Sequence, residues 1–327
     1  MSVREVAAAT GLSVATVSRA LRDDPKVSAM TRERVHAAAR ELGYSHNPYV
    51  GQMMSSLRRR HGGTFRGNMA LVWKNVHPGF ALDVRFQRVF DGIRARAAEL
   101  GYCLNEFDLA VNKPESLRRI LVSRGIRGVL IFMPSFAGQK GRFRMKLDQF
   151  ACVSSGWGLW LPQLDTVRVD YFEMFRLALH HTHRQFEKGI TAIWDFRTDR
   201  AAHNAGKASF ITHHPAGPAA ANELFLSSQE LSEPSFAKIV KKHGVRCVLL
   251  GSSVQPPEWL ETYVPAKHWV WFRDPGEVDH FGRVDPQNYL TGQWSVNLLA
   301  SKIQMNDFGI PEHCQKVLVP PRWIPAR

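Results

Sequence analysis

The sequence predicts an N-terminal all-α helix-turn-helix head followed by an α/β C-terminal module of two doubly wound parallel-sheet subdomains. Two observations predict this fold class. Between residues 3 and 42, apolar residues recur at helical spacing in three short segments. From about residue 68, short apolar runs alternate with helical patterns, which is typical of parallel sheets covered on both faces. We therefore expect a head at residues 1–46, a connecting segment with a basic linker at 47–67, and the module at 68–327.

The head begins with two helices around a tight turn. Ser2 and Glu5 form a predicted capping box for the first helix, Gly11 ends it, and Ser13 is the predicted cap of the second. The outer face of the second helix carries small side chains and arginines, which suits the major groove because Arg can bind guanine with two hydrogen bonds. We expect DNA contacts from Val14, Ala15, Thr16, Ser18, Arg19 and Arg22.

A third helix is predicted from Ala29 to Leu42. Ser28 is its predicted cap, and Gly43 stops it. Its buried stripe consists of Val35, Ala38, Ala39 and Leu42. Three short helices of this kind form a core small enough to hold a recognition helix rigidly.

One run of residues in the head is specific in its order and spacing. It extends from Val3 to about Asn47 and comprises Val6-Ala7, Gly11-Leu12-Ser13, Thr16 to Leu21, Val27-Ser28, Thr31 to Val35 and Glu41 to Tyr44. This run resembles the head of the LacI/GalR family of transcription regulators. The resemblance implies a transcriptional repressor that binds double-stranded operator DNA as a homodimer.

The segment His46–Leu57 lies where that family has a hinge helix, which folds when two subunits lie side by side on DNA. The resemblance implies that Asn47 contacts DNA and that an apolar wedge enters the minor groove. Family hinges usually carry Leu there, whereas this chain has Met53, which is long and apolar enough to part a base step. Met54 and Leu57 stay open as alternatives. The basic residues 58–60 either contact phosphates or form a solvated linker.

The module divides into two groups of alternating strands and helices. The first group has predicted strands at 69–73, 102–107 and 128–133, with helices at 83–100 and 114–123. The second has strands at 150–154, 191–196, 245–250 and 268–272, with helices at 171–186, 234–243 and 289–305. Two such groups imply two doubly wound subdomains.

Short motifs run along the module. They are Phe90 to Ile93, Leu100 to Tyr102, Gly125 to Ile131, Val169-Asp170, Val284-Asp285, Gly292, Gly309 to Pro311 and Val317 to Pro320. These motifs are similar to the effector-binding module of the LacI/GalR family, which itself resembles periplasmic sugar-binding proteins; residues 201–225 carry little of the pattern. The resemblance implies that a small molecule, a sugar or derivative, controls operator affinity allosterically.

Candidate effector-binding residues follow the predicted strands, because ligands of doubly wound sheets bind outside the carboxyl ends of the strands. Aromatic rings can cover the apolar faces of a sugar while Arg and Asp bind its hydroxyls. The expected set is Trp73, Asn75, Ser135 and Trp157, together with Arg200 and Asp285, which the resemblance places near the effector. Lys74, Phe136, Asp195 and Phe196 are further candidates. A core position remains the alternative interpretation of each aromatic residue.

Composition restricts the class of protein. The hydrophobic fraction of 44% and charged fraction of 22% are typical of folded soluble proteins. The net charge of +14 favours an anionic partner, and the first 66 residues carry +6 of it. The four cysteines are widely separated, which implies neither a zinc finger nor a disulfide framework. No export signal or membrane-spanning run is seen, so we expect a cytoplasmic protein.

Catalytic and metal motifs are not found. The chain lacks G-x-x-x-x-G-K-[ST], G-x-S-x-G and H-E-x-x-H, and His180, His181 and His183 are more typical of a helix surface than of a metal site. We predict a non-enzyme without cofactor or metal. A solute-binding protein would share the module but would need an export signal, and an enzyme would need a nucleophile or acid/base pair. The sequence leaves open the effector, its sign of action, the operator sequence, and the choice between dimer and tetramer.

Overall fold

The computed structural model describes residues 3–21, 24, 27–42, 65–74, 84–133, 141–156, 160–274 and 281–326. The chain divides into two units, Met1–Gly62 and Gly63–Arg327. No helix in the described segments is long and apolar enough to cross a lipid bilayer.

The first unit contains short helices around a small apolar core. The helices span Val3–Thr10 (α1), Val14–Ala20 (α2) and Ala29–Glu41 (α3). The core is filled by side chains from the predicted inner faces: Val6, Ala7, Val17, Ala20, Leu21, Val27, Val35 and Ala39. The predicted helical head is therefore confirmed. The predicted capping residue Ser2 lies outside the described residues.

The first sheet of the second unit is parallel throughout its described pairings. Its strands are Gly67–Trp73 (β1), Tyr102–Asp108 (β2), Ile126–Phe132 (β3), Ala151–Ser155 (β5), Asp165–Val169 (β7) and Lys316–Val319 (β13). They lie side by side in the order β13-β7-β5-β3-β1-β2. Gly141–Arg142 (β4) and Trp160–Leu161 (β6) form a separate parallel pair.

The second sheet is parallel except at one edge. Its strands are Ile190–Trp194 (β8), Phe225–Ser227 (β9), Cys247–Gly251 (β10), Trp269–Phe272 (β11), Gly282–Asp285 (β12) and Arg322–Pro325 (β14). Their order is β14-β12-β11-β10-β8-β9, and β14 pairs antiparallel with β12. Two open sheets of this kind confirm the predicted pair of doubly wound subdomains.

Helices cover both sheets. They are Val84–Glu99 (α4), Pro114–Ser123 (α5), Tyr171–Phe186 (α6), Phe196–Ala201 (α7), Ala205–His213 (α8), Pro218–Leu224 (α9), Glu233–His243 (α10), Leu260–Tyr263 (α11) and Asn288–Met305 (α12), with a short 3-10 turn at Ala266–His268. α4 and α12 pack on one face of the first sheet, and α5 packs on the other. A second, larger core surrounds the second sheet.

The described chain passes between the two subdomains three times, at the ends of β7, β12 and β13. β7 leads into α6 of the second subdomain, and β12 leads back into α12, which packs on the first sheet. β13 completes the first sheet and is followed by β14 in the second. Neither subdomain is therefore continuous in sequence.

Two sequence predictions about this arrangement were wrong. The strand predicted at 150–154 and the helix predicted at 289–305 were both grouped with the second subdomain, but β5 pairs with β3 in the first sheet and α12 packs against α4. Local periodicity specifies that a segment is a strand or a helix, whereas long-range packing decides which sheet receives it.

Candidate DNA-binding surface and effector site

Local hydrogen bonds fix the turn between α1 and α2. Gly11 takes the left-handed backbone conformation with φ of 64°, and the Leu12 amide donates to the Ala7 carbonyl at 3.2 Å. Ser13 begins α2 from extended backbone, and its Oγ accepts a hydrogen bond from the Thr16 amide at 3.1 Å. The predicted cap is confirmed, and it satisfies an amide that has no partner within the helix.

A side chain of α3 hydrogen-bonds to the carboxyl end of α1. The Arg34 guanidinium donates to the carbonyl of Thr10 at 2.6 Å, and the Thr10 hydroxyl donates to the Val6 carbonyl at 2.7 Å. Ser28 caps α3 by accepting from the Thr31 amide at 3.3 Å, as predicted. The core and these bonds hold α2 in a fixed orientation.

The two sides of α2 differ in exposure. Val17 and Ala20 are fully buried against α1 and α3, whereas Val14 is 48% exposed. Ala15 and Arg19 are exposed on the same outer side. The outer side therefore presents small apolar groups beside a guanidinium, which is the surface that the sequence predicts for major-groove contact.

Of the remaining residues predicted to contact DNA, one is half-buried and the side chains of the others lie outside the described residues. Thr16 is half-buried, and its hydroxyl forms a 2.8 Å hydrogen bond with the Ser13 hydroxyl, so it also supports the cap. The Ser18 side chain and all of Arg22, Asn47 and Met53 lie outside the described residues, as do the alternative wedge residues Met54 and Leu57.

In the first subdomain, the predicted effector residue Trp73 ends β1 and is half-buried. Its ring centroid lies 5.9 Å from that of Phe90, which in turn makes an edge contact with Phe132 at 4.9 Å. Trp73 thus belongs to an aromatic cluster at the carboxyl end of the strand while keeping part of its surface exposed. Lys74 is exposed. Asn75, Ser135, Phe136 and Trp157 lie outside the described residues.

In the second subdomain, Asp195 precedes the short helix α7, and Arg200 lies in its last turn. Asp195 caps α7 and accepts hydrogen bonds from the Arg197 amide at 2.8 Å and from the Arg197 Nε at 3.2 Å. Burial opposes ionisation of Asp195, but the hydrogen bonds from Arg197 lower its pKa. Arg200 is exposed on the same helix. Phe196 stacks on Phe225 at 5.7 Å, so its ring is part of the packing of this subdomain.

Polar side chains cluster at the carboxyl ends of β11 and β12. Asp285 accepts from the Gln287 amide at 2.8 Å. Asp274 is 6% exposed and accepts from Asn288 Nδ2 at 2.6 Å. Burial raises the pKa of Asp274, the nearby charge of Asp285 raises it further, and Arg88 of α4 acts in the opposite direction. The charges of Asp285 and Arg88 thus lie near enough to Asp274 to affect its ionisation.

Asp285 was predicted from the sequence, whereas Asp274, which follows the predicted strand at 268–272, was not. The strand-end rule that selected Trp73 applies equally to Asp274, so this signal was available. The sequence also missed Trp194 at the end of β8. Its buried indole N–H has no acceptor among the described residues, and its ring packs against Phe175 and Phe272. A ligand oxygen at this strand end could accept from it.

The histidines of α6 have partners of other kinds. His181 stacks on Trp323 of β14 with ring centroids 4.5 Å apart, and the His183 Nδ1 lies 2.8 Å from the carbonyl of His180. In the described part of the chain, no three His, Cys, Asp or Glu side chains are grouped so that they could hold a metal ion.

The described structure combines a helical head with a module of two doubly wound subdomains. Residues 2–47 match the family model described as "Bacterial regulatory proteins, lacI family". The HTH-type transcriptional repressor CytR of Escherichia coli K12 is 33% identical over 203 residues, which cover 59% of this chain and 53% of CytR.

The maltose regulon regulatory protein MalI of the same strain is 26% identical over 194 residues, or 58% of this chain and 52% of MalI. The chain thus spans about half the length of the curated relatives that it matches. The Lac repressor bound to ONPG in the repressed state has the same fold, with a TM-score of 0.54 and 17% identity over 99% of this chain and 98% of that one.

A putative ribose operon repressor from Burkholderia thailandensis gives a TM-score of 0.51 at 14% identity over 79% of this chain and 99% of its own. Residues 2–47 of this chain therefore match the LacI family model, and the chain shares its fold with these two solved structures.

Proposed function

We propose that the protein is a sequence-specific transcriptional repressor that binds operator DNA as a homodimer. The observation that carries this proposal is the outer side of α2, where Val14, Ala15 and Arg19 are exposed on a helix that the Ser13 cap and the head core hold in place. Arg19 would bind a guanine edge, and the small apolar side chains would contact thymine methyl groups.

Two heads are needed for selective binding, because one head of this size buries too little groove surface. A two-fold dimer places two recognition helices in successive major grooves, so the operator would be a near-palindrome. The name of the relative CytR as a transcriptional repressor supports the repressing sense.

The module would bind a small-molecule effector that changes operator affinity. The charged groups of Asp274, Asp285 and Arg88 favour a polyol as the ligand, because carboxylates and a guanidinium can bind hydroxyl groups. The aromatic cluster at Trp73 could cover an apolar face of a sugar. The name of MalI as a maltose regulon protein supports a carbohydrate. Because the crossovers join both subdomains at this site, closure around a ligand would change the arrangement of the two sheets.

The proposal is tested by selecting bound duplexes from a random pool with the full chain. We expect enrichment of a near-palindrome, and we expect that Arg19→Ala weakens binding to the selected duplex about tenfold or more and relaxes the preference at one guanine in each half-site. Affinities are measured by fluorescence anisotropy at fixed salt, because salt alone changes them strongly.

The matched control is Arg40→Ala, which removes the same charge from the exposed end of α3. It should leave base preference unchanged. Loss of preference in both variants, or no enriched sequence with the wild-type chain, would contradict the proposed reading surface. The selected duplex then serves in a titration with a panel of mono- and disaccharides, in which the effector is the sugar that shifts operator affinity.

A further inference from the structure

The connection between β3 and β5 differs from the preceding connections of the first sheet. A helix lies between β1 and β2 and another between β2 and β3, as is usual for neighbouring parallel strands. The described part of the β3–β5 connection, residues 141–150, is not helical. From Arg142 to Leu147, which we call the basic segment, side chains are alternately exposed and buried. This alternation is the pattern of an extended chain with one face on a core.

The buried side of the basic segment attaches it to the first subdomain. Phe143, Met145 and Leu147 are buried in the core that lies between the sheet and α5. The Phe143 amide also donates to the carbonyl of Leu161 at 2.8 Å. The segment thus covers part of the sheet in an extended conformation, and its orientation is fixed by three apolar side chains.

The exposed side of the basic segment is a row of positive charges. Arg142, Arg144 and Lys146 alternate with the buried residues, so all three side chains point away from the core. Their attachment points are spaced by roughly 6–7 Å along an extended backbone. In the described part of the chain, these three side chains have no ion pair. Asp148, the next carboxylate along the chain, pairs with Arg118 of α5 at 3.5 Å.

The contact between Arg118 and Asp148 places α5 beside the basic segment, and α5 is also basic. Residues 113–124 and 142–149 together contain seven Lys or Arg and two Asp or Glu, a net charge of +5. All residues after Arg66 carry a net charge of +8. More than half of the net charge of the module therefore lies on one side of the first sheet, the side that α5 covers.

Such a row of like charges is unfavourable in an isolated protein. Charges at this spacing lie within the screening length of about 8 Å at physiological ionic strength, so they repel one another. Solubility alone does not require the row, because mixed charges or neutral polar groups also keep a surface soluble. A polyanion would remove the repulsion, and the release of its counterions would favour binding.

We propose that the basic segment binds the phosphate backbone of the duplex DNA that the head holds, an inference that rests on the proposed repressor function. DNA is favoured over an acidic protein as the polyanion, because head and module belong to one chain. An operator bound by the head is therefore present at high effective concentration for the module. Phosphate contacts carry no sequence information, so the segment adds affinity without changing the base preference of α2.

The test compares the wild-type full chain with the triple variant Arg142→Gln, Arg144→Gln, Lys146→Gln. The duplex contains the selected palindrome and extends beyond it on each side by about two helical turns, roughly 20 base pairs. Fluorescence anisotropy at several salt concentrations gives the affinity and its salt dependence. We expect the triple variant to bind about tenfold or more weakly, with the slope of log K against log salt shallower by about 1 or more and the base preference unchanged.

The matched control removes the same charge from exposed lysines of the second subdomain: Lys188→Gln, Lys238→Gln, Lys241→Gln. It should bind DNA as the wild type does. Unchanged affinity and slope in the first variant, or an equal loss in the control, would overturn the proposal. A titration with a poly-glutamate peptide tests the other partner: loss of peptide binding without loss of DNA binding would assign the row to an acidic protein and would also overturn it.

Two further measurements keep the result decisive. Circular dichroism shows whether the triple variant folds, and the single variants give the same test with smaller changes of slope if it does not. The change of slope is expected on a duplex of unrelated sequence as well, because phosphates are the same in every sequence. Failure of the repressor proposal therefore appears as the absence of an enriched palindrome, whereas failure of this inference appears as an unchanged slope on both duplexes.

Discussion

Asp274 is deeply buried, and Asn288 donates hydrogen bonds to its carboxylate from both the side chain and the backbone. Its carboxylate accepts from Asn288 at 2.6 Å while Asp285 and Arg88 lie close enough to change its pKa. A buried carboxylate normally needs several donors, because desolvation disfavours the charged form. Hydroxyl groups of a bound sugar would supply further donors, and we propose Asp274 as an effector-binding residue on this ground.

We predict that Asp274→Asn weakens the response to the effector while operator binding without effector stays unchanged. An amide accepts weaker hydrogen bonds than a carboxylate, so affinity for a polyol should fall about tenfold or more. The measurement is the effector concentration that half-shifts operator binding in the anisotropy assay.

The control for Asp274→Asn is Asp148→Asn, since the Asp148 side chain is 63% exposed in a weak pair with Arg118. It should respond as the wild type does. A wild-type response from Asp274→Asn would remove this carboxylate from the effector site.

At the scale of elements, α4 and α12 approach each other at two glycines. A Cβ on Gly92 would collide with the carbonyl oxygen of Tyr289, and one on Gly292 would collide with the carbonyl oxygen of Val89. Backbone atoms cannot move aside as a flexible side chain can. The two helices therefore pack at a separation that only glycine permits. This contact attaches α12, which follows the crossover after β12, to the first subdomain.

We predict that Gly92→Ala lowers the free energy of unfolding by about 2 kcal/mol, as overpacking of a core does. The direction of the change in the free energy of unfolding is informative, because Ala in place of Gly within an unhindered helix stabilises the protein by about 0.5–1 kcal/mol. Thermal unfolding followed by circular dichroism measures the change. Gln304→Ala, at an exposed position of α12, should change it by less than about 0.5 kcal/mol. An unchanged or raised stability of Gly92→Ala would contradict the close approach.

The sequence predicted those elements that have strong periodicity and clear ends. The helix expected at 83–100 is Val84–Glu99, and it ends where Gly101 takes a φ of 80°. β7 was missed because Asp165 and Arg168 interrupt the apolar pattern of a short strand. In the fold, Asp165 pairs with Lys302 and Arg168 lines a cavity, and neither environment can be predicted from the local sequence. α8 was missed because its apolar residues do not form one face.

At the scale of the whole molecule, a buried ion pair joins the crossing segments. Lys302 of α12 bonds Asp165 at the start of β7 and Asp307 just after α12, each at 2.6 Å. Burial alone would lower the pKa of Lys302, but its two carboxylate partners raise it. Asp165 also accepts from the Gln315 amide, just before β13. One carboxylate thus connects three segments that are far apart in sequence.

We predict that Lys302→Met lowers the free energy of unfolding by about 3 kcal/mol, because it leaves a buried carboxylate without its counter-charge. The double variant Lys302→Met with Asp165→Asn should lose less than the sum of the single changes. Urea unfolding of the single and double variants measures the loss of stability and the coupling between the two residues. The control is Lys242→Met, whose 2.6 Å bond to Glu223 is exposed and should be worth less than about 1 kcal/mol. Additive losses would contradict the coupling.

The sequence could predict the head in more detail than the module for a physical reason. The contacts of the head are local, so caps such as Ser13 and turns such as Gly11 are visible within a few residues. The predicted effector residues, from Trp73 to Asp285, follow strand ends that are far apart in sequence, and only the folded sheets bring Arg88 near Asp274. Strand ends can be predicted one at a time, whereas their neighbours cannot.

The crossovers also have a consequence for the order in which the protein can fold during synthesis. The ribosome completes β12 of the second subdomain before it makes α12 and β13, which the first subdomain needs. Until α12 emerges, the apolar side of the first sheet that carries Leu130, Val153 and Val167 lacks part of its cover. A nascent chain that stalls before residue 288 would therefore expose this surface to chaperones, although most of the strands of both sheets had already been translated.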